Sequence, residues 1–160
     1  MRNYTFRPLT PDDLPTIRHW LQAAHVRVWW GDPDRNIALM QQDMDNPKID
    51  MWMVELVNRP FAYMHDHDVH AFATTHYADL PQGTRAIETF VGHSDNLGQG
   101  HAVGYVDARL RDLRRRYMTV AAAPQSTDSR TIGIYAQTGF RKRRLAPSRD
   151  GKLVQVMTYI

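Results

Sequence analysis

The chain opens on an extended, alternating stretch, YTFRPL, and then changes period. Thr10, Pro11, Asp12 and Asp13 supply a capping hydroxyl, a first-turn proline and an acid three residues after the cap, which predicts a helix start. Behind them Leu14, Ile17, Trp20, Leu21 and Ala24 recur at three- and four-residue spacings and form the helix's buried stripe. Pro15 limits regular helix to positions where its missing N–H is harmless. The chain is expected to leave the helix over 25–30 and to turn at Gly31, Asp32 and Pro33. A second short helix over 35–44 follows from Ile37, Met40 and Met44. Strands are predicted over 51–57 and 61–67, joined as a hairpin at Asn58, Arg59 and Pro60. Residues 68–83 have no period and read as a surface excursion, a setting that often holds binding residues. A strand at 85–91 runs into the glycine-bearing segment 92–100 and then a long helix with Val103, Val106, Leu110 and Leu113 on one face. An apolar strand over 117–122, a helix over 129–138 stopped by Gly139, and a last strand over 153–160 complete the order. The pattern is a mixed α/β sheet with one dominant crossover. Without repeat, low-complexity tract or linker, residues 1–160 read as a single domain.

Composition removes whole classes of chemistry. With no cysteine among 160 residues there is no disulfide framework, cysteine-ligated zinc, iron–sulfur centre or thiol nucleophile. No apolar run is long enough for a secretory leader or a membrane span, so a soluble cytoplasmic protein without a membrane partner is expected. Lys plus Arg number 20 against 17 Asp plus Glu, and the excess gathers late, in Arg111, Arg114, Arg115 and Arg116 and in Arg141, Lys142, Arg143 and Arg144. Such clusters serve either a polyanionic ligand or only the negative end of a helix dipole. A nucleic-acid module would need both clusters on one surface and a helix of polar base-reading residues; the latter is missing, and no nucleic-acid partner is expected.

Leu97, Gly98, Gln99, Gly100, His101 and Ala102 stand between a strand and a helix. Small residues there let backbone approach a ligand, and the first helical turn offers unpaired N–H groups to phosphate oxygens. Neither the Lys-Ser/Thr ending of a nucleotide-triphosphate loop nor the Gly-x-Gly-x-x-Gly start of a dinucleotide fold is present, which leaves a pyrophosphate cradle or a plain tight turn. Alternation puts Ala86, Glu88 and Phe90 on one face, so Glu88 is either a pocket-facing base or an edge charge paired with an arginine. His65, His67, His70 and His76 with Asp66 and Asp68 read as pocket hydrogen-bonding groups or as ordinary loop and strand residues, and no closed metal motif is present to make them a metal site. Trp29 and Trp30 either stack on a substrate or belong to the core.

Several strings in order, RPLTPDDLPTIRHWL, HVRVWWG, RAIETFVG, LGQGHA and TIGIYAQTGF, resemble the GCN5-related N-acetyltransferase (GNAT) family over most of the chain, in the branch of aminoglycoside 6'-N-acetyltransferases linked to antibiotic resistance. The resemblance implies a mostly antiparallel mixed sheet, flanked by helices, whose central parallel strands, 86–91 and 118–122, splay apart. It implies acetyl-CoA as cosubstrate, its pyrophosphate held by the backbone of Leu97, Gly98, Gln99, Gly100, His101 and Ala102, with Asp128 and Tyr135 also at the cofactor. Backbone N–H at Phe90 or Val91 would polarise the thioester carbonyl. Glu88 would be the general base, directly or through water, and Tyr135 the acid to the CoA thiolate. His25, Trp29, Trp30, Asp66, Asp68, Asp79 and Glu88 would face a small-molecule amine. Ala123 stands where the branch carries an acid, and the loop reading Thr74, Thr75, His76, Tyr77, Ala78, Asp79 holds a single carboxylate. These departures keep open a siderophore-type amine or hydroxylamine acceptor, or an acyl-CoA-binding domain without turnover. Monomer and homodimer are both compatible with the chain.

Overall fold

The computed structural model describes residues 3–160. Strand β1 (Tyr4–Pro8) leads through a 3₁₀ turn (Pro11–Asp13) into helices α1 (Leu14–Gln22), α2 (Ala24–Trp30) and α3 (Pro33–Asp43). Strands β2 (Ile49–Leu56), β3 (Arg59–Asp68) and β4 (Thr84–Val91) follow, then helix α4 (His101–Leu113), strand β5 (Thr119–Ala122), helix α5 (Ser129–Gln137) and strands β6 (Arg141–Pro147) and β7 (Leu153–Tyr159). The strands form one seven-stranded sheet in the order β1-β2-β3-β4-β5-β7-β6. β1/β2, β5/β7 and β6/β7 are antiparallel, while β4/β5 is parallel. This is the mixed sheet that the pattern predicts, mostly antiparallel as the family resemblance implies.

The first helix begins where Thr10 predicts: the Thr10 amide and hydroxyl both donate to the Asp13 carboxylate, at 2.9 and 3.3 Å. That carboxylate is also gripped by the Arg7 guanidinium at 2.8 and 2.9 Å. The segment 25–30 corrects its expected exit from helix. Ala23 is extended (φ −67°, ψ 137°) and breaks the run, but the chain re-enters helix at once as α2 and stops at Gly31, whose φ is +77°. The Asp32 carboxylate accepts from the Asp34 amide and Pro33 takes the first helical position, so α3 starts two residues earlier than its apolar pattern indicates. The β2/β3 turn sits on Val57 and Asn58, with φ of +51° and +60°, the left-handed pair that matches strand twist in a two-residue hairpin.

The chain divides into two compact units: residues up to His65 with Thr89–His101, and Asp66–Glu88 with Ala102–Ile160. In the first, Ile17, Trp20 and Leu21 of α1, Val26 of α2, Ile37 and Met40 of α3, Met53 and Val54 of β2, and Phe61, Tyr63 and Met64 of β3 are buried. In the second, Val69, Tyr77, Ala86, Ala121, Ala146, Val154 and Val156 make one cluster, with Leu80 and Ala123 packed on it. α4 there buries Tyr105, Val106, Leu110 and Leu113. Met118, expected at the start of an apolar strand, is 83% exposed, and β5 begins only at Thr119.

Candidate active site

β4 passes from the second unit into the first between Glu88 and Thr89. In the first unit it delivers Phe90 and Val91 to buried positions and then reaches Gly92. The Gly92 and His93 amides both point at the Phe61 carbonyl, at 2.7 and 3.4 Å. His25 on α2 donates from Nε2 to the Val91 carbonyl at 2.9 Å, so its part is to fix the end of β4. Trp30 packs its ring edge against Phe90 (centroids 4.9 Å apart), Tyr63 (6.1 Å) and His65 (6.2 Å), which makes it a member of an aromatic cluster; Trp29 beside it is half-buried.

A 3₁₀ turn (Ser94–Asn96) then leads to the glycine segment. Gly98 and Gly100 have φ of +74° and +79°, a conformation that side chains rarely adopt, and α4 begins immediately after them at His101. The Gln99 side chain donates to the Asp95 carbonyl at 2.6 Å. The His101 ring, 5% exposed, donates from Nε2 to Gln99 Oε1 at 3.2 Å and accepts at Nδ1 from the Tyr4 hydroxyl at 2.9 Å. These side chains brace the segment from within, and Gly98, Gln99 and Gly100 lie exposed ahead of a thirteen-residue helix. A backbone of this kind fits a phosphate group, because helix-terminal N–H groups need acceptors and no Cβ stands in the way at either glycine.

In the second unit, Glu88 is the exposed position of β4, and Thr84, Arg85, Ala86 and Ile87 before it are buried. The parallel register pairs Thr84 with Thr119, Arg85 with Val120 and Ala86 with Ala121; β4 continues beyond it to Glu88 and further, whereas β5, paired on its other side with β7 through Val120, Ala121 and Ala122, stops at Ala122. The Glu88 charge is felt at His76, Tyr77 and Tyr135. Tyr135, 2% exposed and packed on Phe140 with centroids 5.2 Å apart, has its phenol pushed well above the usual range by burial, and Glu88 pushes in the same direction. Tyr77 is raised for the same two reasons. His76 goes the other way: burial lowers its imidazole, overriding the Glu88 charge that would raise it.

The remaining acids are committed elsewhere. Asp66 corrects its placement among amine-facing residues: it is wholly buried, and its oxygens accept from Arg85 Nε at 2.8 Å and from Arg109 Nε and Nη2 at 3.0 and 2.9 Å. Asp68 caps its own turn by accepting from the His70 amide at 2.8 Å. Asp79 is held by Arg144 at 2.7 and 3.2 Å, and that guanidinium keeps its carboxyl below the usual range. Asp128, expected at the cofactor, is 6% exposed and accepts from the Thr131 amide at 3.1 Å as the N-cap of α5, which is a structural assignment for its carboxylate. His67 bonds the Asp68 carbonyl and His70 the Leu80 carbonyl, each at 2.8 Å. No group of three or more His, Asp or Glu among the described residues is arranged to hold a metal ion. Arg114, Arg115 and Arg116 follow the C-terminal end of α4. Arg114 and Arg116 lie over the rings of Tyr159 and Tyr117.

The family model for an acetyltransferase (GNAT) domain matches residues 10–146, and the chain belongs to that family. It is an N-acetyltransferase whose acetyl donor is acetyl-CoA. An aminoglycoside N(6')-acetyltransferase type 1 of Klebsiella pneumoniae is 21% identical over 165 residues, which span 96% of this chain and 81% of that protein. Among solved structures, a Bacillus halodurans protein superimposes with a TM-score of 0.89 at 18% identity, covering 98% of this chain and 83% of that one. Aminoglycoside acetyltransferase AAC(6')-Ib in complex with coenzyme A does so with a TM-score of 0.85 at 19% identity, covering 98% and 94%. No helix among the described residues is long and apolar enough to cross a membrane.

Proposed function

We propose that the chain acetylates a primary amine of a small molecule bearing few positive charges. Glu88 takes the amine's proton, directly or through water, and Tyr135 donates toward the CoA sulfur. The observation that carries this reading is the exposure of Glu88 at the end of a buried run of β4, next in the chain to Phe90, Val91 and the glycine segment. An amine freed of its proton beside a thioester attacks it directly, so no acylated residue is needed and the lack of cysteine costs nothing. Burial keeps the Tyr135 phenol protonated, which suits it to donate a hydrogen bond to a departing thiolate and makes it unfit as a base. The backbone around Gly98 and Gly100, with the amides of the first turn of α4, is the segment that would hold the CoA pyrophosphate. A weakly cationic acceptor follows from Asp66 and Asp79, whose charges are already met by arginines. An aminoglycoside is the second reading, favoured by the similarity to the Klebsiella pneumoniae enzyme along nearly the whole chain.

Thiol release from acetyl-CoA, measured with kanamycin, spermidine, an alkyl hydroxylamine, a simple alkylamine and a lysine peptide, ranks the acceptors. Turnover of the lysine peptide alone overturns the small-molecule assignment. With the best acceptor, Glu88→Gln is expected to lower kcat by about 10²–10⁴-fold and to leave KM for acetyl-CoA unchanged. An unchanged kcat removes Glu88 as the base.

A further inference from the structure

We propose that Tyr4, His101 and Gln99 are positioning residues for acetyl-CoA: joined in one hydrogen-bond chain from strand β1, they set the turn at Gly98 and Gly100 in its receiving shape before the cofactor's pyrophosphate arrives. The inference rests on the glycine segment being the pyrophosphate site. All the side chains involved belong to the first compact unit.

The bonds run in one direction. The Gln99 side chain gives an N–H to the Asp95 carbonyl at 2.6 Å, and a carbonyl can only accept, so Gln99 Oε1 is the atom that faces the His101 ring. His101 Nε2, 3.2 Å from that oxygen, must then carry the ring hydrogen. Nδ1 of the neutral ring is left as an acceptor, and the Tyr4 hydroxyl, 2.9 Å away, supplies the donor. A hydroxyl on the first strand therefore selects the tautomer that orients the Gln99 amide.

Packing keeps the ring where those bonds need it. His101 is 5% exposed, with the Phe61 ring at 5.3 Å and the Tyr4 ring edge-on at 6.0 Å. Phe61 anchors the segment at both ends: its carbonyl takes the Gly92 and His93 amides, and its ring takes His101. Between these anchors the Asn96 amide bonds the His93 carbonyl and the Leu97 amide the Ser94 carbonyl, each at 3.1 Å. Gln99 is turned back onto Asp95, and residues 98–100 lie exposed. A free glycine turn loses much conformational freedom when a ligand orders it; a turn ordered in advance has less to lose, and the difference appears as affinity.

The test measures dissociation constants of the purified chain for CoA, dephospho-CoA and pantetheine, of which only pantetheine lacks a pyrophosphate. Tyr4→Phe removes one hydroxyl and is expected to weaken CoA and dephospho-CoA alike by about three- to tenfold, the worth of one hydrogen bond, with pantetheine held within about twofold. His101→Phe is expected to weaken both by about tenfold or more, and Tyr4→Phe added to it to cost less than about twofold further, because the chain is already broken. Equal weakening of all three ligands, or independent losses in the double variant, overturns the brace in favour of general loosening. Amide NMR of the wild type tests the underlying reading separately: CoA, and not pantetheine, is expected to shift the Gly98 and Gly100 signals. Unmoved signals remove the pyrophosphate site and the brace with it. Moved signals together with wild-type CoA affinity in Tyr4→Phe overturn the brace and leave the site standing. Long-range proton–nitrogen spectra of the histidine rings need neither ligand nor variant: His101 is expected as the Nε2–H tautomer, and an Nδ1–H ring overturns the chain even where His101→Phe does not fold.

Discussion

At the scale of the residue, the end of β4 depends on an atom that is absent. A Cβ built on Gly92 would stand 2.0 Å from the Trp20 ring, so the indole lies directly against the backbone at the point where Val91 is fixed by His25. Trp20 is 2% exposed and meets Phe90 and His93 edge-on, at 6.3 and 6.0 Å. Gly92→Ala must push that ring out of both contacts, and overpacking of this kind costs about 1–3 kcal/mol. In a chain of this size that corresponds to a drop of roughly 2–12 °C in Tm, measured by differential scanning calorimetry. A melt unmoved by Gly92→Ala would show that Trp20 has a second resting place. His25 is the companion lesson: family resemblance sends it to the substrate, whereas its Nε2 is spent on a backbone carbonyl one residue before the glycine.

At the scale of the element, Asp66 joins the end of β3 to β4 and α4 through Arg85 and Arg109. All three side chains are nearly or wholly buried, and Tyr117 lies 5.4 Å from the Arg85 guanidinium carbon. Asp66→Asn leaves buried guanidinium charges without their counter-ion, and the expected loss is about 3–5 kcal/mol in urea unfolding. A loss under about 1 kcal/mol would mean that water enters to replace the carboxylate. Elements whose apolar spacing is set by one buried face were legible in the chain: α1, α4, α5, β4 and β7 lie where periodicity places them, within a few residues. β6 was not legible, because Arg141, Lys142 and Arg143 are exposed on the last strand of the sheet; its extended form comes from pairing with β7, with a register shift between Lys142 and Arg144. α2 was hidden because Ala23 interrupts the helical period for a single residue. Glu88 stood out because alternation isolates a lone carboxylate among apolar neighbours. His76 was named only as one of several histidines with two open readings, since its segment has no period and the group that holds its carbonyl, Arg144, is 68 residues further along the chain.

At the scale of the whole molecule, the formal charge of +3 says little until each acid is assigned. Asp66, Asp79 and Asp13 are matched by arginines, and Asp68, Asp32 and Asp128 accept backbone amides. Of the acids that the family resemblance points toward the amine, Asp66 and Asp79 are met by arginines and Asp68 by a backbone amide, while Glu88 is the exposed residue of β4 proposed as the base. Attraction for a polycation scales with the number of unmatched charges it meets and is screened over a Debye length of about 10 Å at 0.1 M salt. An acceptor drawn in mainly by one carboxylate should therefore feel salt only weakly. With acetyl-CoA held saturating at every salt concentration, raising sodium chloride from about 0.02 to 0.3 M is expected to change the amine's KM by less than about threefold. A rise of tenfold or more would require a wall of several carboxylates, and would return the aminoglycoside to first place as the acceptor. Acetyl-CoA is itself a polyanion, so its own KM, measured separately, is expected to carry the larger salt dependence of the two substrates.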